Sequence, residues 1–265
     1  MIQYERVGQN EVLDKLDKKK TLRGIFNPVV LATSFIFLLD NITVQGLAFF
    51  APTIVKTIYP NDTVVSQQLH TVPPYIVGAF FTLLLPFLSW RFDRRMIFFI
   101  LGAPLMMIGY IMFLASTDGQ VRYGATFLIA SGAFSFGALC NAQGSANVVS
   151  DTARASAIGK YQNLYVMIKA KSDRMLGTVV MFGNVGGLIS TWSFLPTDAP
   201  NYPIGNGLNL ATSSTILISS TLLLLWIKRS NKQRDAIDVD QELAGKSQGE
   251  IEDLDWRHPS FRWRP

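Results

Sequence analysis

Six long apolar runs, separated by shorter polar stretches, make up most of the chain. A helix needs about 20 predominantly apolar residues to cross the hydrocarbon core of a bilayer. Because each run has about that length, the pattern predicts an all-α membrane protein with six transmembrane helices. The predicted spans are segment A (residues 28–55), segment B (72–90), segment C (96–115), segment D (123–149), segment E (177–195) and segment F (208–227).

Prolines mark two of the predicted helix starts. A proline in the first turn of a helix removes only an N–H group that would have no partner there anyway. We therefore place the start of segment A at Asn27-Pro28. By the same argument, segment B starts just after Thr71, where Pro73 and Pro74 follow.

The placement of Lys and Arg predicts the orientation. Twenty-two of the 24 lie in the N-terminal segment, the B–C loop, the D–E loop and the C-terminal tail, while the other loops hold only Lys56 and Arg122. Basic residues are retained on the cytoplasmic side, so both termini are predicted to be cytoplasmic. This gives a cytoplasmic connector (1–26), a transmembrane domain (27–227) and a polar tail (228–265), which we predict to be disordered.

Composition supports the membrane assignment and excludes several other classes. The chain is 49% hydrophobic and 16% charged, with a mean hydropathy of +0.24. The net charge of +5 comes from basic residues between apolar runs, which argues against nucleic-acid binding. One Cys and two His residues exclude a disulfide framework and a zinc set. Because hydrolase, phosphate-loop and metalloprotease motifs are also absent, we predict no enzyme activity and no cofactor.

Polar residues inside the predicted spans are the candidate functional residues. A charge near the bilayer centre costs about 2.5 to 3.5 kcal/mol, yet Asp40 and Asn41 fall in the middle of segment A. Segments D and E also carry amides. These side chains predict a polar cavity that holds a solute or passes a proton, with the candidate residues Asp40, Asn41, Gln45, Asn141, Gln143, Asn147 and Asn184.

A structural role is the alternative for each of these residues. Amides in membranes often join helices through hydrogen bonds that contribute less than about 2 kcal/mol each. Asp40 could be a protonation site or a substrate contact, or it could simply be a buried, protonated carboxyl.

Two glycines in segment E predict close helix packing. Gly183 and Gly187 form a G-x-x-x-G pattern, and small residues at this spacing let two helix backbones approach each other. We therefore expect this face of segment E to lie against another helix.

Several stretches of the sequence resemble one family. Together they cover most of residues 27–263, and the chain resembles the C-terminal half of a major facilitator superfamily transporter. More closely, it is similar to the fungal anion:cation symporter group, which includes nicotinate, allantoate and pantothenate permeases. The stretches are GLAFFAPTIV (46–55), LHTVPPYIVGAFFTLLLPFLSWRFDRR (69–95), FGNVGGLIS (182–190), YPIGNGLNLATSS (202–214) and HPSFRW (258–263).

The resemblance implies a function and a missing partner. It implies proton-coupled symport of a small organic anion, at the plasma membrane. Such carriers have two six-helix halves with the substrate between them, so we expect a second, N-terminal half and a truncated gene model here. The alternative is a non-transporting six-span scaffold or an inactive truncated product.

The B–C loop matches a family signature. In that family, the stretch corresponding to SWRFDRR (89–95) contains a carboxylate and basic residues that latch the cytoplasmic side. The resemblance assigns this latch to Arg91, Asp93, Arg94 and Arg95. Because Trp90 stands where the family has an aspartate, the latch is incomplete at that position. A positive-inside anchor is the simpler alternative.

Residues 159–176 interrupt the D–E loop and raise a separate hypothesis. The codons at the two ends can carry splice-donor and splice-acceptor sequences, and removing the segment keeps the reading frame. A retained intron would explain this. The alternative is an interfacial helix, with Tyr and aliphatic residues on one face and Lys and Arg facing lipid headgroups.

Overall fold

A computed structural model describes residues 26–147, 178–247, 250–251 and 254–265. All regular secondary structure in these ranges is helical. The α-helices are α1 (Pro28–Ile58), α2 (Val64–Phe92), α3 (Arg95–Ala115), α4 (Gly119–Ala133), α5 (Phe136–Ala146), α6 (Thr178–Thr191), α7 (Pro203–Asp235) and α8 (Val239–Leu243). Two 3-10 turns, Pro196–Asp198 and Asp255–Arg257, complete the described elements.

Within the described ranges, five stretches are long and apolar enough to cross a membrane. They are Pro28–Phe49, Val64–Phe92, Arg95–Ala115, Gly119–Ala146 and Pro203–Asp235. They correspond to the predicted segments A, B, C, D and F, and segment D contains a break between α4 and α5. Segment E corresponds to α6, which has 14 described residues and follows a stretch outside the described ranges. The chain is an all-helical, multi-pass membrane protein, as the sequence predicts.

The start of α2 differs from the prediction. The helix begins at Val64, where the Thr63 side chain accepts a hydrogen bond from the Ser66 N–H at 3.3 Å, rather than near Pro73 and Pro74. Pro74 has no N–H to donate to the His70 carbonyl one turn earlier. The Tyr123 hydroxyl donates to that carbonyl at 2.9 Å instead. This replacement bond satisfies an acceptor that the proline leaves open.

The C-terminal tail also differs from the prediction. α7 extends beyond residue 227 to Asp235, and α8 follows it. Near the C-terminus, Phe261 is 7% exposed and Trp263 is 2% exposed. The prediction of disorder is therefore wrong for the described residues of this tail. The reason is a set of tertiary hydrogen bonds, described below, that a polar composition does not reveal.

The chain divides into two compact units. Of the described residues, unit 1 comprises 26–34, 141–147, 178–181, 222–247, 250–251 and 254–265, and unit 2 comprises 35–140 and 182–221. In unit 2, buried apolar side chains of α1, α3 and α4 form a common core. Its members are Leu47, Ala51, Ile54, Tyr110, Phe113, Ala125, Ile129 and Ala130.

Two predicted segments lie outside the described residues. These are residues 1–25 of the predicted connector and the whole of residues 159–176, for which the sequence suggests a retained intron or an interfacial helix. Both assignments stay predictions.

Candidate functional site

A cavity of about 660 Å³ lies in unit 2. Three walls form it: α1, α2 and the break between α4 and α5. One of its lining residues, Leu83, is 76% exposed, so the cavity is open on that side. Its described lining residues are Phe37, Asp40, Asn41, Val44, Tyr75, Ala79, Thr82, Leu83, Ala133, Phe134 and Gly137.

The break between α4 and α5 places an aromatic wall in this cavity. The Phe134 ring stacks on the Tyr75 ring, with centroids 5.5 Å apart and planes 23° from parallel. Gly78 makes this possible, because a Cβ at Gly78 would collide with the Phe134 ring. The glycine therefore lets the ring lie against the α2 backbone.

Asp40 is the most unusual residue of the cavity wall. Its side chain is fully buried, and neither carboxylate oxygen has a hydrogen-bond partner among the described residues. Tyr110 and Cys140 lie close enough to interact with its charge. A buried carboxylate without a compensating partner is costly. Binding a proton or a polar ligand would remove that cost.

Asn41 and Gln45 follow Asp40 on α1, and both are half-buried. The Asn41 amide donates to the Phe37 carbonyl at 3.3 Å and lines the cavity. Gln45 is not among the described lining residues. Its side chain lies against α6 instead, because a Cβ at Gly187 would be 3.2 Å from the Gln45 Cγ.

The glycines of α6 face α1. A Cβ at Gly183 would be 2.5 Å from the Phe37 ring, and one at Gly186 would collide with the Leu38 carbonyl. Gly186 thus makes the closest backbone approach, although the predicted pattern named Gly183 and Gly187. Asn184, on the same helix, is exposed and is not among the described cavity residues.

Unit 2 also contains a buried pair of hydrogen-bonded polar side chains that the sequence analysis does not predict. Thr43 donates to the Asn209 side-chain oxygen at 3.0 Å, and Asn209 donates to the Gly205 carbonyl at 2.8 Å. Both Thr43 and Asn209 are fully buried. Asn209 is the second residue of the predicted segment F, so an argument from depth within a span does not single it out.

The amides predicted on segment D do not line this cavity. Gln143 donates to the Arg264 carbonyl at 2.8 Å, and Asn147 bonds the Arg264 backbone twice, so both contact the C-terminal tail within unit 1. Asn141 is half-buried and is also not a described lining residue. Of the seven residues predicted for the pathway, the structure thus places Asp40 and Asn41 in the cavity wall.

The predicted latch loop is a tight turn after α2. Asp93 has a left-handed backbone (φ 49°, ψ 38°), and its N–H caps the helix by donating to the Trp90 carbonyl. The Arg95 guanidinium lies 3.5 Å from the Asp93 carboxylate. Arg91 and Arg94 are exposed.

Comparison with known proteins identifies relatives of one kind. The high-affinity nicotinic acid transporter of Saccharomyces cerevisiae is 30% identical over 226 residues, which cover 84% of this chain and 38% of the relative. A major facilitator type transporter of Penicillium expansum is 25% identical over 229 residues, which cover 84% of this chain and 40% of that relative. An uncharacterised transporter of Schizosaccharomyces pombe is 26% identical over 195 residues, which cover 74% of this chain and 35% of that relative.

These relatives are longer than the present chain. The chain spans less than half the length of each of these three proteins. No protein-family model and no solved structure matches it. The relatives are named as transporters, and the helical architecture is consistent with one half of such a carrier. The chain is therefore a relative of the fungal transporters of the major facilitator superfamily and corresponds to part of one.

Proposed function

We propose that the protein transports a small organic anion across a membrane by proton-coupled symport, and that the cavity in unit 2 forms part of the substrate pathway. The observation that carries this proposal is the Asp40 carboxyl, which is fully buried in the cavity wall and has no hydrogen-bond partner within the described ranges. Ionisable residues inside membrane spans mark substrate pathways and proton relays. Asp40 is the proton site in this proposal.

The cavity wall suits a small ring-bearing substrate. Ligand sites for small molecules usually enclose about 300 to 1,000 Å³ and combine apolar walls with a few polar groups. Here Tyr75 and Phe134 offer ring faces, and Asn41 and Thr82 offer polar groups. Because one relative is named a nicotinic acid transporter, nicotinate is the first substrate to test.

The charge of an anionic substrate requires a cationic partner. No Lys or Arg occurs among the described lining residues of the cavity, although Arg is the usual bidentate partner of a carboxylate. We place that cation on a second six-helix half, which would close the cavity from the other side. Such carriers hold their substrate between two halves.

The other predicted site residues take different roles in this proposal. Asn41 contacts the substrate, and Gln45 and Asn184 remain candidates for the pathway toward the second half. The latch on the predicted cytoplasmic side consists of Arg91, Asp93, Arg94 and Arg95. Gln143 and Asn147 hold the C-terminal tail.

Nicotinate uptake tests the proposal. Radiolabelled nicotinate is supplied to fungal cells that lack their own nicotinate uptake and express either the present chain or the product of its full-length spliced transcript. We expect Asp40→Asn to lower uptake more than tenfold, because the amide cannot carry the proton. Asp62→Asn makes the same chemical change at an exposed position and should leave uptake unchanged.

Two further measurements complete this test. A protonophore should abolish uptake by the wild-type carrier, because the proton gradient drives symport. Normal uptake by Asp40→Asn, at normal surface expression, would contradict the role of Asp40. Absence of uptake for every organic anion tested, with both forms at the cell surface, would favour the non-transporting scaffold.

A further inference from the structure

The end of the chain is held on the surface of unit 1. We call residues 254–265 the tail segment. It contains the turn Asp255–Arg257 and ends in a stretch without regular secondary structure that buries Phe261 and Trp263. The Trp263 ring lies 4.9 Å from the Phe261 ring, 5.4 Å from Trp226 and 5.7 Å from Trp256, measured between centroids. An aromatic cluster thus anchors the segment to α7.

Two asparagines bond the backbone of consecutive tail residues. The Asn231 amide donates to the Trp263 carbonyl at 2.8 Å, and its oxygen accepts the Trp263 N–H at 2.9 Å. Asn147 does the same for Arg264, at 3.1 and 2.8 Å. A carboxamide that both donates to and accepts from one residue imitates a neighbouring β-strand. This geometry recognises an extended peptide through its main chain.

Arg234 recognises the bend in the same segment. Its guanidinium donates to the carbonyls of Trp256, His258 and Phe261 at 3.0 to 3.2 Å. It also lies over the Phe261 and Trp263 rings, 5.7 and 5.4 Å from their centroids. The tail segment is therefore held by hydrogen bonds to its main chain, by tilted and edge-to-face contacts between aromatic rings, and by the Arg234 guanidinium.

Asn147 also connects the tail segment to the start of α1. The Asn27 amide donates to the Asn147 carbonyl at 2.8 Å, while its oxygen accepts the N–H groups of Val29 and Val30 and so caps α1. Hydrogen bonds therefore run from α1 through Asn147 to the tail segment, and from the tail segment through Asn231 to α7.

We propose that Asn147, Asn231 and Arg234 form a peptide-recognition site whose ligand is the chain's own tail segment, and that the bound segment couples the ends of α1, α5 and α7 so that they move as one body. The energetic basis is linkage: groups that bind a common ligand stabilise one another's positions through it. In the orientation predicted from Lys and Arg placement, this site is cytoplasmic.

Peptide binding tests the recognition site directly. Trp263→Ala in the full chain removes the ring that anchors the tail but keeps the site residues. We expect a fluorescein-labelled peptide of residues 256–265 to bind this variant in detergent, with a rise in fluorescence anisotropy. The wild-type chain, whose site is occupied by its own tail, should bind the peptide at least tenfold more weakly. Failure of the variant to bind, or equal binding by both chains, would overturn the proposal.

Hydrogen–deuterium exchange of the full chain tests the coupling. Asn231→Ala should raise the exchange of tail amides about tenfold, because two hydrogen bonds are lost. It should also raise exchange around Asn147 and at the start of α1, although the described side-chain hydrogen bonds of Asn231 go to Trp263 alone. Gln233→Ala, an exposed neighbour on α7, is the matched control and should change neither. An effect confined to the tail would overturn the coupling.

Discussion

Asp40, within α1, and Asn147, in the turn that follows α5, are both fully buried polar residues, yet their surroundings are opposite. Asn147 uses its amide and its oxygen in three hydrogen bonds, two of them to the Arg264 backbone. Asp40 is the ionisable residue of the two, and its carboxylate oxygens have no hydrogen-bond partner in the part of the chain that the structure describes. Buried polar groups are usually satisfied, and each exception calls for an explanation.

The comparison separates structural from functional polar residues. A satisfied buried amide, such as Asn147, stabilises the fold and specifies a contact. A buried carboxyl without a partner costs stability, and the proposed function accounts for Asp40 by a proton that binds there. Depth in the membrane alone could not distinguish these two cases.

Replacing Asn147 should have the largest effect on stability. Asn147→Leu removes three hydrogen bonds and leaves polar groups of the tail and of α5 without partners, so we expect the free energy of unfolding to fall by about 2 kcal/mol. The midpoint of thermal unfolding in detergent micelles measures this. Asn184→Leu makes the same change at an exposed position and should not lower the midpoint. An unchanged unfolding midpoint for Asn147→Leu would mean that the hydrogen bonds between Asn147 and the tail do not stabilise the fold.

Replacing Asp40 should act in the opposite direction. Asp40→Leu removes a buried carboxyl without breaking a hydrogen bond, so we expect the free energy of unfolding to rise by about 1 kcal/mol. The same thermal measurement applies. Thr82→Val is the control in the same cavity: its hydroxyl donates to the Gly78 carbonyl at 2.9 Å, so this variant should be less stable. A less stable Asp40→Leu protein would show that Asp40 has a structural partner.

The smallest expected effect is a pH dependence of tail docking. Burial, reinforced by the nearby Lys246 charge, lowers the pKa of His258 below its ordinary value of 6.5. The neutral ring accepts hydrogen bonds from Ser260 at Nδ1, and the Arg234 guanidinium also faces this residue. Because the undocked tail binds the proton more readily, docking should be at full strength above about pH 6.5 and weaken as the pH falls.

Exchange protection factors of the tail segment at pH 7.5 and 5.5 measure this effect. The wild-type chain should lose protection at the lower pH. His258→Gln, which keeps an acceptor but does not titrate, should show the same protection at both. Equal pH dependence in the two proteins would exclude His258 as its source.

The sequence predicts the helical membrane fold because hydropathy is a local property. The apolar runs place most of the spans without any knowledge of their neighbours. The start of α2 could not be predicted in this way, because Pro74 is tolerated only when the Tyr123 hydroxyl bonds the His70 carbonyl. That bond joins residues far apart in sequence.

The candidate site was predictable only in part. Asp40 and Asn41 follow from their position in the middle of a span, and the structure places both in the cavity wall. The Phe134 wall depends on a helix break between Gly132 and Gly137, and the hydropathy of this apolar run does not distinguish a broken span from a continuous one. The sequence predicts Gln143 and Asn147 as cavity residues because both lie within a span. Their contacts with Arg264, at the far end of the chain, depend on tertiary structure and cannot be predicted from hydropathy.

The contact between Gly186 and the Leu38 carbonyl restricts how α6 and α1 can move. Where one backbone touches another, there is no side chain whose rotamer could change to permit sliding. The two helices therefore keep their register here and can only pivot about this point. Pairs of spin labels on α1 and α6, one pair on each side of Gly186, would measure this motion. Tilting would lengthen the distance between the two labels of one pair and shorten it in the other.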